Sequence, residues 1–221
     1  MRPIQDVAFE FKDGAVVLEG VLRRPHGSEA LVVFAHGSGS SRFSARNRRV
    51  ADALNARGLA TALVDLLDLE EDRHYEARFD VAVLARRLLT ATRAALRQPG
   101  LADARLGLFG ASTGAAAALE AAATLRERAG AVVSRGGRPD LAPGALPRVL
   151  CPTRLIVGGR DETVLALNRR ALGRLRCRCD LVVVPGAGHL FEEPGALDQV
   201  AALAGDWFAE HLLGHDAPVR R

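Results

Sequence analysis

RLGLFGASTGAAAAL, residues 105–119, decides how this chain is read. Residues 105–109 form a short apolar run of the kind that suits a strand covered on both faces. The alanine-rich residues 114–128 have high intrinsic helix propensity. Between them, Gly110-Ala111-Ser112-Thr113-Gly114 leaves space only for a tight strand-to-helix turn. A serine there needs small neighbours, because the backbone is crowded and strained. Its hydroxyl then stands at a helix N-terminus, where N–H groups and the dipole favour developing negative charge. The same residues also fit a glycine-rich turn with an N-capping serine, so the surrounding segments must decide.

Outward from this turn the chain alternates. Upstream, ALVVFA (residues 30–35) reads as a central strand. Residues 45–57 read as a helix, with Ser44 as its cap and Gly58 as its stop. A strand over 59–67 and a long amphipathic helix over 80–97 follow, closed by Pro99-Gly100. Downstream come a strand at 131–134, a Pro/Gly-rich passage at 136–147, a strand at 153–157 and a helix at 164–175. A strand at 181–184 and a helix at 197–213 complete the pattern. At the start, residues 7–11 and 15–22 form a hairpin around Asp13-Gly14. Two antiparallel strands followed by this alternation predict an α/β fold with a doubly wound, mostly parallel sheet of about eight strands. A single domain over residues 1–221 with no large lid domain is expected, since the only inserts, 68–78 and 136–147, are short. In such sheets, reactive residues sit at the carboxyl ends of strands.

Three further motifs fall at such ends. Gly158-Gly159-Arg160-Asp161-Glu162-Thr163-Val164 offers an acid. Asp161 comes first off the strand and is preferred over Glu162, although Asp161 or Thr163 also suits the cap of the next helix. Pro185-Gly186-Ala187-Gly188-His189 offers an imidazole on a glycine-rich loop. The other histidines fit less well: His26 reads as part of a hairpin-like loop, His74 falls in a polar stretch, His211 and His215 come near the C-terminus, and His36 is better read as bracing its own loop. His36-Gly37-Ser38-Gly39-Ser40-Ser41 offers backbone N–H groups free of bulky side chains, as an oxyanion hole requires. Ser38 and Thr113 are the expected donors, with Gly39 the nearest rival to Ser38. Ser112, Asp161 and His189 thus occur in the order Ser…Asp…His, each after a strand.

Composition limits the alternatives. Charged residues make up 25% of the chain and the net charge is only +4, with Lys12 the one lysine. The arginines are scattered among acids; the cluster Arg42, Arg46, Arg48 and Arg49 reads as a solvated helix face. Aromatics are 5%, so no nucleic-acid partner is expected. No apolar run approaches the ~20 residues that span a bilayer, and no leader is read at the start, so no membrane partner is expected. Cys151, Cys177 and Cys179 match no metal pattern; they are expected to be free thiols, and the location cytoplasmic. The 110–114 loop also lacks the G-x-G-x-x-G spacing and the lysine of nucleotide-binding loops.

The motifs HGSGSS at 36–41, GASTG at 110–114, GGRDETV at 158–164 and GAGHLFEEPGAL at 186–197 resemble those of the α/β-hydrolase superfamily, in its small dienelactone-hydrolase-like branch. The resemblance covers nearly the whole chain. Dienelactone hydrolases proper carry cysteine as nucleophile, whereas position 112 here is serine, which points toward ordinary esters or thioesters. Similar chains also occur fused to phosphoribosyltransferase domains, and none is expected within these residues. The resemblance implies a hydrolase in which Ser112, His189 and Asp161 cleave a small or medium ester or thioester. No metal and no cofactor is required, and the protein is expected to act as a monomer or homodimer. Arg135 and Arg138, in SRGGRPD after the sixth strand, are candidates to bind an anionic substrate group, because guanidinium pairs with carboxylates; pairing with Asp140 or Glu193 is the structural alternative. A silent binding protein on the same fold, an acyltransferase and a cofactor-free haloperoxidase are the rival functions.

Overall fold

Among the described residues, eight strands and five α-helices follow one another in the order the hydrophobic periods predict. The computed structural model describes residues 4–213; the outer ends of the expected 1–221 domain, and His215, lie outside the described residues. The strands are β1 (Ile4–Asp13), β2 (Val16–Pro25), β3 (Ala30–Ala35), β4 (Ala60–Val64), β5 (Arg105–Ala111), β6 (Ala129–Arg135), β7 (Thr153–Gly158) and β8 (Cys179–Val184). The helices are α1 (Ala45–Ala56), α2 (Val81–Leu96), α3 (Thr113–Leu125), α4 (Glu162–Leu172) and α5 (Ala196–Phe208). They build one sheet of order β1-β2-β4-β3-β5-β6-β7-β8. β1 pairs antiparallel with β2, and β2 with β4; every later pairing is parallel. The expected α/β, mostly parallel architecture is the one observed.

Local chemistry explains the punctuation. Asp13 pairs with Val16 across a two-residue turn, and Gly14 supplies its positive φ of 63°. Ser44 Oγ accepts the Asn47 N–H at 3.3 Å and starts α1, while Asp80 Oδ1 accepts the Val83 N–H at 3.0 Å and starts α2. The strand at 59–67 is shorter than its apolar pattern suggests. The Asp65 N–H still donates to the Glu19 carbonyl at 2.9 Å, while its side chain accepts the Arg42 N–H at 2.7 Å and pairs with the Arg42 guanidinium, which also reaches Glu19. These bonds tie the loop after β3 to the end of β4.

β3 shows why the core has two halves. Leu31, Val33 and Ala35 pack with α2 and α3, while Ala30, Val32 and Phe34 pack with α1 and α5. With every residue buried, the strand reads as a continuous apolar run rather than an alternation. The 68–78 and 136–147 inserts carry only short 3₁₀ turns, at Glu71–Arg73, Ala77–Phe79, Pro139–Leu141 and Leu146–Arg148. Arg87, buried in α2, pins the first of these inserts: it donates to Glu71 through two 2.6 Å bonds, to the Leu66 carbonyl and to Asp13.

Candidate active site

The chain runs from β3 outward to β4 and then crosses back to β5 on the other side of β3. The loops after β3 and β5 therefore diverge at a switch point, where open α/β sheets bind ligands. Ser112 stands there. Its φ of 51° and ψ of −120° are a strained conformation for a residue with a side chain. The turn is pinned on both sides: the Ser112 N–H donates to the Arg135 carbonyl at 3.2 Å. Its own carbonyl accepts from the N–H groups of Ala115 (3.1 Å) and Arg138 (3.0 Å). Two glycines make the turn possible. A Cβ on Gly110 would meet the backbone of Ala115, and one on Gly114 would meet the carbonyls of Ala35 and His36. Any larger residue at either site would push α3 off the sheet.

The loop after β3 passes directly over this turn, and an added Cβ on Gly37 would lie 3.0 Å from the Ser112 Cβ. His36 braces it. The ring Nε2 accepts the Leu66 N–H at 3.0 Å, so the proton resides on Nδ1, which donates to the Gly37 carbonyl at 2.9 Å. Burial holds the pKa of His36 below the ordinary histidine value, in keeping with a neutral ring. Ser38 lines the resulting cavity. Thr113 opens α3, where its N–H has no carbonyl four residues earlier within the helix.

From the far side, β7 and β8 deliver the acid and the imidazole. His189 Nδ1 lies 2.6 Å from Asp161 Oδ2, while Asp161 Oδ1 receives the Val164 N–H and caps α4. The Asp161 side chain is 13% exposed and that of His189 38%. Glu162, the rival acid, is exposed on the first turn of α4. The histidine loop is itself held: both oxygens of Glu193 accept the Gly188 N–H at 3.1 Å, and Arg160 pairs with Glu193. Phe191, two residues past the histidine, is buried with a positive φ of 56° and anchors the loop in the α1–α5 half of the core.

These elements enclose a cavity of about 190 Å³ whose walls include Gly37, Ser38, Arg46, Ser112, Arg135 and His189. The two arginines singled out from the sequence part company here. Arg138 is engaged by Asp140 through bonds of 2.8 and 2.7 Å, whereas Arg135 faces the cavity and is 8% exposed. Burial, together with the charge of Arg46, lowers the Arg135 pKa to about 10. Arg46 departs from the reading of its cluster as a solvated face, because it lines the cavity; Arg48 and Arg49 fit that reading and are exposed, Arg49 beside Asp198 on α5. Arg46, Asn47 and Glu193 were not marked as site residues. Their only sequence signals, a basic run and an acid four residues after a histidine, are common on surfaces. The three cysteines are free, and burial pushes the Cys151 thiol up to about 12. Among the described residues no cluster of His, Cys, Asp and Glu is placed to hold a metal, and no helix is long and apolar enough to cross a membrane.

The sheet order, the strained serine turn and the histidine after the last strand define an α/β-hydrolase fold. A solved dienelactone hydrolase from Anabaena variabilis is 52% identical, with a TM-score of 0.90 over 95% of this chain and 99% of that one. The chain belongs to the dienelactone hydrolase family of α/β-hydrolases. Est1E from Butyrivibrio proteoclasticus shares the fold at 16% identity and a TM-score of 0.80, covering 94% of this chain and 99% of its own. Two curated proteins of Mycobacterium tuberculosis, each described as a putative phosphoribosyl transferase, are 54% identical over 212 residues. That match takes in 96% of this chain and 48% of each relative, so the chain spans about half the length of the curated relatives it matches. No family model matches the chain.

Proposed function

We propose that this chain is a serine hydrolase that cleaves a carboxylic ester or thioester of a small substrate. The observation that carries the proposal is the meeting of Ser112, on its strained turn, and Asp161-bound His189 at one cavity. In the proposed reaction, His189 Nε2 takes the hydroxyl proton as Ser112 Oγ attacks the carbonyl carbon. Asp161 fixes the tautomer by holding the Nδ1 proton and stabilises the imidazolium. The N–H groups of Ser38 and Thr113 receive the oxyanion, and α3 directs its N-terminus toward the same point. His189 then protonates the leaving alcohol or thiol. Water, deprotonated by His189, attacks the acyl-serine and releases the acid.

The membership in the dienelactone hydrolase family supports ester hydrolysis at the level of the class. The name of the longer mycobacterial relatives describes proteins of which this chain matches half, and the Ser112 turn lacks the spacing of a nucleotide-binding loop. The three free thiols fit a cytoplasmic enzyme, and a monomer or homodimer is the proposed working unit. A screen of p-nitrophenyl esters and acyl thioesters, with Ser112→Ala as control, tests the proposal. Turnover that disappears in the variant, with a fluorophosphonate label on wild-type Ser112, is expected; turnover that persists in Ser112→Ala would remove the serine from the mechanism.

A further inference from the structure

The segment after β6 lies against two members of the proposed catalytic set and is tied to the third. The Gly136 N–H donates to the Ile156 carbonyl at 2.8 Å and continues the pairing with β7. Its φ of 52° lays its Cα against the imidazole: a Cβ built there would stand 3.5 Å from both Nδ1 and Cε1 of His189. Two residues on, the Arg138 N–H donates to the Ser112 carbonyl at 3.0 Å. Gly137, between them, is held by the helix that carries the acid. Asn168 of α4 is fully buried, and its Nδ2 donates to the Gly137 carbonyl at 2.9 Å. The same nitrogen donates to the Val164 carbonyl, one turn earlier, at 2.8 Å. Both partners are acceptors, so the amide must face them with its nitrogen. Asn168 follows Asp161 by about two turns of helix, so both lie along one side of α4. Stability alone does not call for an asparagine here. It has a lower helix propensity than leucine, and its Oδ1 is buried with no hydrogen-bond partner among the described residues.

We propose that Asn168 is a positioning residue: by tying α4 to the segment 136–138, it holds Asp161, His189 and Ser112 in one fixed arrangement. This rests on the hydrolase reading and names what sets its geometry. Asn168 acts through other groups and takes no part in the chemistry itself. Asp161 and Asn168 move together as parts of one helix, while Gly136 and Arg138 move with Gly137. With the Asn168 bond removed, α4 and the segment are related there by packing, which carries no direction. The 2.6 Å contact between Asp161 and His189 and the seat of the ring against Gly136 are then no longer fixed together. A misplacement of about 1 Å, even when caused far from the chemistry, costs on the order of 10²-fold in rate. Gly137 itself gives no slack, because Ser134 Oγ and the Ala115 Cβ fill the space beside its Cα.

The test assays p-nitrophenyl butyrate with Asn168→Leu, which keeps a branched side chain and removes the donor. The kcat is expected to fall by about 10–100-fold with KM within about twofold, the mark of misaligned chemistry rather than lost binding. In Asn168→Ser the hydroxyl bonds the Val164 carbonyl, as helical serines do, and is too short for Gly137; kcat should fall to a similar degree. A second readout needs no turnover. In Ser112→Ala, the low-field proton resonance of the Asp161–His189 hydrogen bond should move or broaden when Asn168→Leu is added. Wild-type kcat in either folded Asn168 variant, or a resonance unmoved by the added change, would overturn the proposal. If neither Asn168 variant folds, Gly136→Ala carries the test, since its Cβ would press on the ring that the segment seats. A fall in kcat of about tenfold or more is expected there, and an unchanged kcat would overturn the role of the segment. If wild type turns over no ester and Ser112 resists the fluorophosphonate, the hydrolase reading fails, while the resonance still decides whether Asn168 positions the pair.

Discussion

His189 Nδ1 lies 2.6 Å from one oxygen of Asp161, and the other oxygen of that carboxylate accepts the Val164 N–H at the start of α4. The acid that holds the imidazole thus also caps a helix, and both roles follow from its place as the last residue before α4. Glu162, one position later, already belongs to the helix and projects into solvent.

Asp161→Asn is therefore expected to lower kcat by about 10⁴-fold, because asparagine presents the wrong partner to Nδ1. Asparagine caps a helix as well as aspartate does, so Tm should move little. Glu162→Gln should leave p-nitrophenyl butyrate turnover within about twofold, as expected for an exposed side chain away from the imidazole. A larger loss in Glu162→Gln than in Asp161→Asn would transfer the role.

Ser112 combines the proposed nucleophile with a positive φ that glycine adopts freely. Ser112→Gly should release backbone strain of about 1–3 kcal/mol, partly offset by glycine's entropy, and raise Tm by ~2–4 °C. Ser112→Ala retains the Cβ and should not show this gain. Both variants should lose roughly 10³–10⁶-fold in turnover. Calorimetry beside an esterase assay separates the two effects.

Glu193 grips the loop that carries His189 by accepting the Gly188 N–H with both oxygens and pairing with Arg160. Glu193→Ala should reduce kcat by about tenfold through a misplaced imidazole, while KM for a neutral ester changes little. Glu193→Gln, which keeps an acceptor, should restore most of the loss. Equal activity in the alanine variant and the wild type would show that the loop holds itself.

Asp13 closes the β1–β2 hairpin against α2, and its carboxyl is held well below the usual carboxylate range, chiefly by the Arg86 hydrogen bonds and further by Arg87. A depressed folded pKa gives stability that is present above the unfolded value of about 3.9 and is lost as pH falls toward the folded one. Asp13→Asn should lower Tm at pH 7, and the difference from wild type should shrink as the pH falls below about 4. A difference that stays constant down to pH 2.5 would place the effect in packing rather than in charge.

Much of this protein is legible in residue order. Alternating apolar runs and helix-forming segments define an α/β fold, because each period dictates which face must be buried. GASTG marks its turn through the absence of side chains, since neighbours at 110 and 114 would collide with α3 or β3. Asp161 is the first acid off its strand in residue order, and it is the acid that lies beside His189.

Contact across the sheet was not legible. Sequence treated Arg135 and Arg138 as equals, and treated Arg46 as part of a solvated basic face. Asp140 is near Arg138 in the chain already; only folding decides that it pairs there and leaves Arg135 without an ion-pair partner among the described residues. Only folding turns Arg46 from α1 toward the end of β6. Local periodicity depends on neighbours three or four residues apart, whereas Arg46 and Arg135 meet because β3 and β6 flank the strand that carries Ser112. The sequence by itself determined the fold and named Ser112, Asp161 and His189 as a set. Tertiary structure decided which charges are neutralised, because burial and pairing are properties of space rather than of chain order.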